Sequence, residues 1–170
     1  PNLTEFISTL DKIMRDNSVA VFEVQYVLNI FKKLQFDTLY HEHYSYFSIF
    51  SIFELLKKTS LSIFDVQHTK THGGSIRVYI KKRKVIKSYE YLNVKKMIKK
   101  EEKLGISRIS FYKKFKGDLK KIITSNRNFF KNNKSKVIGY GAAAKANTFL
   151  NFSKIKLKTI IDDNKLKQNK

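Results

Sequence analysis

The sequence has no cysteine, no tryptophan and a single proline, Pro1, among its 170 residues. Without cysteine the chain can form neither disulfide bonds nor thiolate metal sites, although histidine and carboxylate ligands for a metal remain open to it. It also lacks an apolar run of about eighteen residues, the length that spans a bilayer. The sequence shows no signal-peptide pattern, in which a charged segment is followed by an apolar one and then by small residues. These absences predict a cytoplasmic protein with no membrane-spanning segment. Because no initiator methionine precedes Pro1, we expect the chain to be a piece of a longer protein.

Acidic residues are scarce relative to basic ones: 14 Asp and Glu stand against 35 Lys and Arg, which gives a net charge of +21. Such an excess is typical of proteins that attract phosphates, whether of nucleic acid, anionic lipid or a nucleotide. The lysines are spread along the chain, densest in stretches such as "KKRK", "KKMIKKEEK" and "YKKFKGDLKK", and arginines are few. This distribution favours solvated lysine-rich surfaces over a dedicated nucleic-acid groove. A basic nucleic-acid-binding module stays open as the alternative function.

The first half of the chain shows helix and strand patterns typical of an α/β layer. Residues 3–14 have apolar side chains at the three-and-four spacing of a helix with one buried face. Val19–Val24 is a β-branched and aromatic run, apolar on both sides, which predicts a strand buried in a parallel sheet. Ser51 and Glu54 have capping-box spacing and predict the start of a short helix that runs to Lys58.

Two further strands and a second α/β segment follow. "LSIFDVQ" and "GSIRVYIKK" flank the loop "HTKTHGG" and predict an antiparallel hairpin at a sheet edge. From Tyr89 the chain changes to long lysine-rich helical stretches, and residues 135–164 then have the pattern of strand, glycine turn, helix and strand. We therefore predict an α/β fold with two domains, residues 1–86 and residues 87–170.

The predicted glycine turn, "GYGAAAK", has features of a phosphate-binding turn. Gly139 and Gly141 are followed by alanines, and small side chains let the N–H groups of a helix start approach a pyrophosphate. Lys145 would add a positive charge in the first helical turn. About twenty residues on, Asp162 and Asp163 end the next strand, where this kind of fold commonly binds a ribose hydroxyl. The three-glycine fingerprint is incomplete, so a tight turn with no ligand explains the pattern equally well.

The segment "LYHEHYSY" concentrates groups that exchange protons. Between Tyr40 and Tyr46 it holds three tyrosines, two of the four histidines and one glutamate. A histidine can take a proton near neutral pH, a neighbouring carboxylate can orient it, and a tyrosine hydroxyl can donate to an oxygen that gains negative charge. This combination suits removal of a proton from a carbon next to a carbonyl. Two histidines and a glutamate could bind a metal only if the segment is a loop, and an aromatic-rich surface loop without chemistry is the simpler alternative.

Four segments together resemble one protein family. "QFDTLYHEHYSYFS", "FDVQHTKTHGGSIRVYI", "GYGAAAKANTFLN" and "IDDNKLKQ", in this order and at these separations, are similar to the sugar C-methyltransferases that depend on S-adenosylmethionine (SAM) and act on nucleotide-linked deoxysugars. Members of that family have a small cysteine-rich zinc domain, a SAM-binding α/β domain and a C-terminal domain with a Rossmann-like sheet. This chain resembles only the later half. It would hold the end of a class I methyltransferase sheet, with Val19–Val24 as the fifth strand and the hairpin as strands six and seven, followed by a truncated Rossmann-like domain.

The resemblance also implies catalytic roles for individual residues. In the family's Tyr-x-Glu-His motif the histidine is the base that takes a proton from the sugar carbon beside the 4-keto group. His43 matches this base, and Tyr40 and Glu42 match the other two positions of the motif. The enolate would then attack the methyl group of SAM, while Tyr40 holds or polarises the keto oxygen.

Further residues are implied to contact the substrate, a nucleotide-linked sugar expected to be a thymidine diphosphate derivative: Gly139, Gly141, Lys145 and Asp162. His72 and the two glycines after it would shape the cleft wall. No residue of this segment is expected to bind a metal, and no specific nucleic-acid or membrane partner is expected. The zinc domain and the SAM-binding half lie outside the matched segment, so we expect the chain alone to be inactive. A gene remnant without function is a further alternative.

Overall fold

The chain folds as a mixed α/β structure in the computed structural model, which describes residues 2–134 and 136–168. The two lysine-rich helices and the hairpin predicted from the sequence are confirmed. Within the described ranges, no helix combines the length and the apolar character needed to cross a membrane. The helices are α1 Leu3–Ile13, α2 Val27–Lys32, α3 Ile49–Leu56, α4 Leu92–Leu104, α5 Ile109–Asn132 and α6 Ala144–Ser153, and the strands are β1 Ala20–Gln25, β2 Leu61–Thr69, β3 Ser75–Lys82, β4 Gly139–Tyr140 and β5 Ile160–Ile161.

The described residues form two compact units. Residues up to Asn29 and Ser45–Phe111 make the first unit, and Ile30–Tyr44 with the chain from Tyr112 onward make the second. Helix α4 belongs to the first unit, where Val94 is buried in the same core as the strands. The domain boundary predicted between residues 86 and 87 stays a prediction.

The first unit is built around a three-stranded antiparallel sheet in the order β1-β3-β2. Residues two apart along a strand point to the same face, and β3 accordingly presents Ile76, Val78 and Ile80 to the core. All three side chains are fully buried. Strand β2 and helices α1, α3 and α4 supply further apolar side chains to this core, and each buried aliphatic side chain contributes about 1.5–3 kcal/mol of hydrophobic stabilisation.

Strand β1 meets the expectation for Val19–Val24 only in part. It pairs antiparallel with β3, with Val24 opposite Ile76, and no strand among the described residues pairs with its other edge, so a parallel neighbour on that side stays a prediction. Its two faces also differ, since Phe22 packs against the core whereas Val21 is 49% exposed. An apolar run alone does not reveal which strand will lie beside it, and here the hairpin places β3 next to β1. The strand lies at the edge of the sheet that the described residues form.

The N-terminus of α3 differs from its predicted capping box. Ser48, not Ser51, is the N-cap: its hydroxyl accepts the Ser51 N–H at 2.9 Å, and the Ser51 hydroxyl accepts the Ser48 N–H at 2.9 Å. Glu101 of α4 accepts the two remaining amides, from Ile49 at 2.8 Å and from Phe50 at 2.9 Å. The first three N–H groups of α3, which no helical carbonyl can reach, therefore all have acceptors.

Glu101 is fully buried and also accepts a hydrogen bond from the end of β1. The hydroxyl of Tyr26, the residue after that strand, donates to Glu101 Oε1 at 2.9 Å. Tyr26 is 1% exposed, and burial, together with the negative charge of Glu101, raises the pKa of its phenol. The tyrosine therefore keeps its proton and remains a donor. This carboxylate joins α4 both to α3 and to the end of β1.

The second unit contains a short parallel sheet in which β4 lies beside β5. Gly139 is opposite Ile160, and Tyr140 is opposite Ile161. Strand β4, the glycine turn, α6 and β5 follow one another in the predicted order. The buried apolar core of this unit is small and contains Phe36, Leu119 and Ile123.

Replacing Glu101 with alanine is expected to destabilise the chain by about 3 kcal/mol or more, because it leaves the Tyr26 hydroxyl and two helix amides buried without an acceptor. Tyr26→Phe removes only one donor, and we expect a loss of about 1 kcal/mol. Urea unfolding followed by circular dichroism measures both. Glu102→Ala, at an exposed neighbouring position of α4, is the control. A Glu101→Ala protein as stable as this control would contradict the role assigned to the carboxylate.

Candidate functional site

Tyr40 and His43 lie together in a turn of the second unit. The turn follows a short 3-10 helix, Phe36–Thr38, and is closed by the His43 N–H, which donates to the Tyr40 carbonyl oxygen at 2.9 Å. The two rings are tilted by 38° with their centroids 4.3 Å apart, and both side chains are half-buried. The structure thus brings together the residue predicted as the base and the residue predicted as the hydroxyl donor.

The imidazole of His43 is oriented by Thr38. His43 Nδ1 lies 2.9 Å from the Thr38 carbonyl oxygen and 3.3 Å from the Thr38 hydroxyl oxygen. Thr38 ends the 3-10 helix and is 1% exposed. An acceptor fixed by the backbone therefore holds one nitrogen of the ring.

The other ionisable groups of this segment are exposed. His41 and Glu42 are exposed, and Tyr44 is 79% exposed. Among residues 2–134 and 136–168 Glu42 makes no hydrogen bond or ion pair, and the acceptor at the His43 ring is Thr38 instead of the neighbouring carboxylate. In the same ranges no group of three or more histidine and carboxylate side chains is placed to hold a metal ion. The catalytic role of Glu42 stays a prediction.

His72 lies in the first unit, in the turn between β2 and β3. Its φ is 48°, and Gly73 and Gly74 continue with φ values of 82° and 122°. A Cβ on Gly74 would displace the side-chain amide of Asn29, and the φ of 122° is one that other residues resist, so glycine is favoured at this position. The His72 carbonyl accepts a hydrogen bond from the Gln25 side chain at 3.1 Å, while the imidazole is exposed. The turn is fixed through its backbone, and its place in a cleft wall stays a prediction.

The glycine turn between β4 and α6 needs its two glycines for different reasons. A Cβ on Gly139 would meet Leu157 at 2.9 Å and Ile160 at 3.1 Å, so a side chain there would have to displace both neighbours. Gly141 has open space around it, but its φ of 86° is one that other residues resist. Its N–H donates to the Ile161 carbonyl oxygen at 2.7 Å, which extends the strand pairing into the turn.

Asp162 closes the same turn. Its Oδ1 accepts the Asn164 N–H at 2.8 Å, and its Oδ2 accepts the Ala142 N–H at 2.7 Å. These two amides, helped by the Lys167 ammonium at 3.4 Å, hold the pKa of the Asp162 carboxyl below its usual range. Lys167 also donates to the Ala142 carbonyl oxygen at 2.9 Å. Both carboxylate oxygens therefore contact the backbone of this unit, and a ribose contact by Asp162 stays a prediction.

The start of α6 has the electrostatic character that favours an anion. Its N-cap residue, Ala143, has no side-chain acceptor for the amides of the first turn. The first turn carries no acidic residue, and Lys145 within it is exposed. The partial positive charge of the helix start and the Lys145 ammonium both attract negative charge. The role predicted for Lys145 is compatible with this position.

Helix α6 connects two parts of the second unit. Phe149 and Phe152 of α6 pack on Phe36, at ring-centroid distances of 5.9 and 5.2 Å. Phe36 begins the 3-10 helix that ends at Thr38. The same aromatic contact therefore supports the helix that starts at the glycine turn and the turn that bears the predicted base.

Two residues that the sequence did not single out have clear roles in the structure. Thr38 acts through its main-chain carbonyl, and no residue type signals such a role. Glu101 did carry a signal, because it stands seven residues after Val94 and three before Leu104, which places it on the apolar face of α4. A charged residue on that face has to be paired or hydrogen-bonded.

The chain belongs to the family of C-methyltransferase C-terminal domains, whose family model matches residues 70–170. It is also 27% identical over 153 residues to the C-methyltransferase NovU of Streptomyces niveus. That similarity covers 88% of this chain and 36% of the relative, so the chain spans about a third of the length of the curated relative it matches. The resemblance seen in the sequence motifs is confirmed at the level of the C-methyltransferase family. The matched range includes His72 and the glycine turn, whereas Tyr40 and His43 precede it.

Replacing Asp162 with alanine is expected to accelerate hydrogen exchange at the Ala142 and Asn164 amides by roughly threefold to tenfold, because both lose their acceptor. Asp163→Ala is the matched control, since Asp163 accepts the Tyr140 hydroxyl and neither of these amides. Amide exchange followed by NMR in both variants gives the comparison. Unchanged exchange at both amides in the Asp162→Ala protein would show that the carboxylate is not their acceptor.

The hydrogen bonds of Asp162 also predict a pH dependence of stability. An unfolded aspartate has a pKa of about 3.9. Because the folded pKa of Asp162 is lower, the stabilisation from these bonds is present above about pH 4 and is lost as the pH falls through the folded pKa. The stability difference between the wild type and Asp162→Ala should be largest near neutral pH and shrink below about pH 4. Urea midpoints measured across this range test it, and a difference that grows on acidification would contradict it.

Proposed function

We propose that this chain is the C-terminal part of a SAM-dependent C-methyltransferase that acts on a nucleotide-linked 4-keto-deoxysugar. The observation that carries the proposal is the half-buried turn in which the Tyr40 and His43 rings are in contact, because it offers a base and a hydroxyl donor in one short segment. Membership of the C-methyltransferase family supports the class of reaction. A thymidine diphosphate sugar as the substrate is part of the proposal.

Proton removal is the step assigned to this chain. A carbon beside a ketone becomes nucleophilic when a base takes its proton and the bonding electrons move toward the keto oxygen. His43 is the base and becomes an imidazolium, while the Tyr40 hydroxyl donates a hydrogen bond to the oxygen as negative charge grows on it. SAM supplies an electrophilic methyl group, which the enolate carbon takes as the methyl–sulfur bond breaks. The donor is proposed to bind in the part of the enzyme outside this chain, which spans 36% of its relative.

The diphosphate of the nucleotide-sugar is proposed to bind at the start of α6. The amides of the first turn have no capping side chain, and Lys145 adds a positive charge. Gly141 keeps the approach open, since nothing lies within 4 Å of the position that its Cβ would take. A ribose contact by Asp162 would require the carboxylate to exchange one of its two backbone amides, because both of its oxygens already accept hydrogen bonds.

In the full-length enzyme, His43→Asn is expected to reduce turnover by about a hundred- to ten-thousandfold, the usual contribution of a general base, with sugar binding nearly unchanged. Tyr40→Phe should reduce turnover by less, because it removes only a hydrogen-bond donor. Deuterium exchange at the carbon beside the ketone, followed without methyl donor, isolates the proposed step. His41→Asn is the matched control, since His41 is exposed in the same segment. If the His43→Asn enzyme exchanges at the wild-type rate, another residue is the base.

Gly141→Ala is expected to raise the KM for the nucleotide-sugar by roughly tenfold while leaving kcat nearly unchanged, because it disturbs binding of the diphosphate and not the chemical step. Gly105→Ala is the matched control: Gly105 also has a positive φ, of 73°, so the two variants share backbone strain, but it ends α4 in the other unit. Steady-state kinetics at saturating methyl donor provide both constants. Equal KM values in the two variants would count against a diphosphate at this turn.

A further inference from the structure

We infer that Thr38 is a positioning residue for the proposed base: its buried main-chain carbonyl sets the tautomer of His43, so that the neutral ring bears its hydrogen on Nδ1 and its lone pair on Nε2. The structural content of this inference depends on contacts within the second unit. Its consequence for catalysis rests on the proposed function.

The tautomer follows from what each partner can donate or accept. A carbonyl oxygen can only accept, so a ring nitrogen that hydrogen-bonds to it at 2.9 Å has to bear hydrogen. If His43 Nδ1 carried the lone pair instead, two electron-rich atoms would face each other at that distance. The Thr38 hydroxyl at 3.3 Å suits either tautomer, because it can donate or accept. The shorter contact, to the carbonyl, therefore decides the tautomer.

The carbonyl is held firmly enough to impose this choice. Thr38 is 1% exposed, and its N–H donates to the Gln35 carbonyl oxygen at 3.3 Å within the 3-10 turn. Phe36, which begins that helix, is buried in the core of the second unit. On the other side the Tyr40 ring, 4.3 Å away, restricts rotation of the imidazole. Turning the ring over would put a carbon atom at the Nδ1 position and lose the hydrogen bond.

A fixed tautomer has a direct consequence for a base. Nε2 becomes the atom that accepts the proton, and the bond at Nδ1 fixes the direction of its lone pair. After proton transfer both nitrogens bear hydrogen, so the Nδ1–H bond to the carbonyl persists and the ring does not have to reorient. In many enzymes a carboxylate holds the corresponding nitrogen. Here the exposed Glu42 is not required for that orientation.

The tautomer can be measured on the 170-residue chain without any activity assay. In a chain with 15N-labelled imidazoles, long-range proton–nitrogen correlation at mildly alkaline pH distinguishes the two neutral tautomers. The pattern that disappears in His43→Asn belongs to His43. We expect that pattern to be of the Nδ1–H form, while the exposed His41 gives the averaged pattern of a solvated ring as an internal control. An Nε2–H or averaged pattern for His43 overturns the inference.

Substitutions of Thr38 separate positioning from a purely structural effect. Thr38→Val removes the hydroxyl and keeps the carbonyl, so we expect the Nδ1–H pattern and a kcat within about twofold of the wild type. Thr38→Gly loosens the backbone that carries the carbonyl, and we expect a shift toward the averaged pattern with kcat lowered by roughly tenfold and KM unchanged. In every folded Thr38 variant kcat should follow the Nδ1–H fraction of His43. A Thr38 variant that changes kcat without changing the Nδ1–H fraction, or the reverse, overturns the positioning role.

Failure of this inference and failure of the proposed function give different results. If His43 has the Nδ1–H pattern but His43→Asn retains wild-type deuterium exchange, the assignment of the base is wrong and the role of Thr38 in setting the tautomer stands. If exchange is lost in His43→Asn but the wild-type ring has the Nε2–H pattern, the base is correct and the role of Thr38 is wrong.

Discussion

The first unit depends on one buried carboxylate. Helix α4 is lysine-rich and has only a narrow apolar face, so hydrophobic packing alone would tolerate small rotations and shifts along its axis. Glu101 removes that freedom, because its two oxygens have to meet the amides of Ile49 and Phe50 and the hydroxyl of Tyr26 at the same time. The N-terminus of a helix carries partial positive charge, which makes a carboxylate the suitable partner. Once α4 and α3 are set in this way, the apolar faces of both can pack on the antiparallel sheet.

The turns that bear candidate site residues are shaped mainly by main-chain atoms. The Thr38 carbonyl holds the His43 ring, the His72 carbonyl accepts from Gln25, and the Gly141 N–H pairs with the carbonyl of Ile161. Main-chain donors and acceptors survive most substitutions of the side chain, so such geometry can persist in relatives of low identity, such as the 27% observed here. The backbone conformation of these turns is still constrained. The constraint is strongest at the residues with positive φ in the two glycine-containing turns, where few residue types other than glycine are tolerated.

The sequence predicted most reliably those features that depend on local periodicity. The α4 and α5 helices, the β2–β3 hairpin and the order of elements around the glycine turn follow from apolar spacing and from glycine positions. Features that need a partner distant in the chain were predicted less well: the antiparallel pairing of β1 with β3 was not foreseen, and the α3 cap was assigned to Ser51 and Glu54 although Ser48, Ser51 and Glu101 provide it. In the candidate site, the resemblance to the family's motif led to the prediction that Tyr40 and His43 act together. The acceptor at Nδ1 could not be predicted, because it is a backbone oxygen.

The glycine turn shows how one segment can carry both a structural carboxylate and a surface that favours anions. Asp162 would repel a phosphate if its charge were uncompensated, but two backbone N–H groups and the Lys167 ammonium face it and reduce its field outside the turn. Lys145 and the uncapped start of α6 add positive charge on the side of the helix, whereas the Asp163 carboxylate, which accepts a hydrogen bond from the Tyr140 hydroxyl, adds a negative charge beside Tyr140. An anion approaching α6 therefore meets attraction while the Asp162 carboxylate keeps the turn closed. The same carboxylate cannot serve a ribose hydroxyl without releasing a backbone amide, so stability of the turn and contact with a nucleoside compete for Asp162.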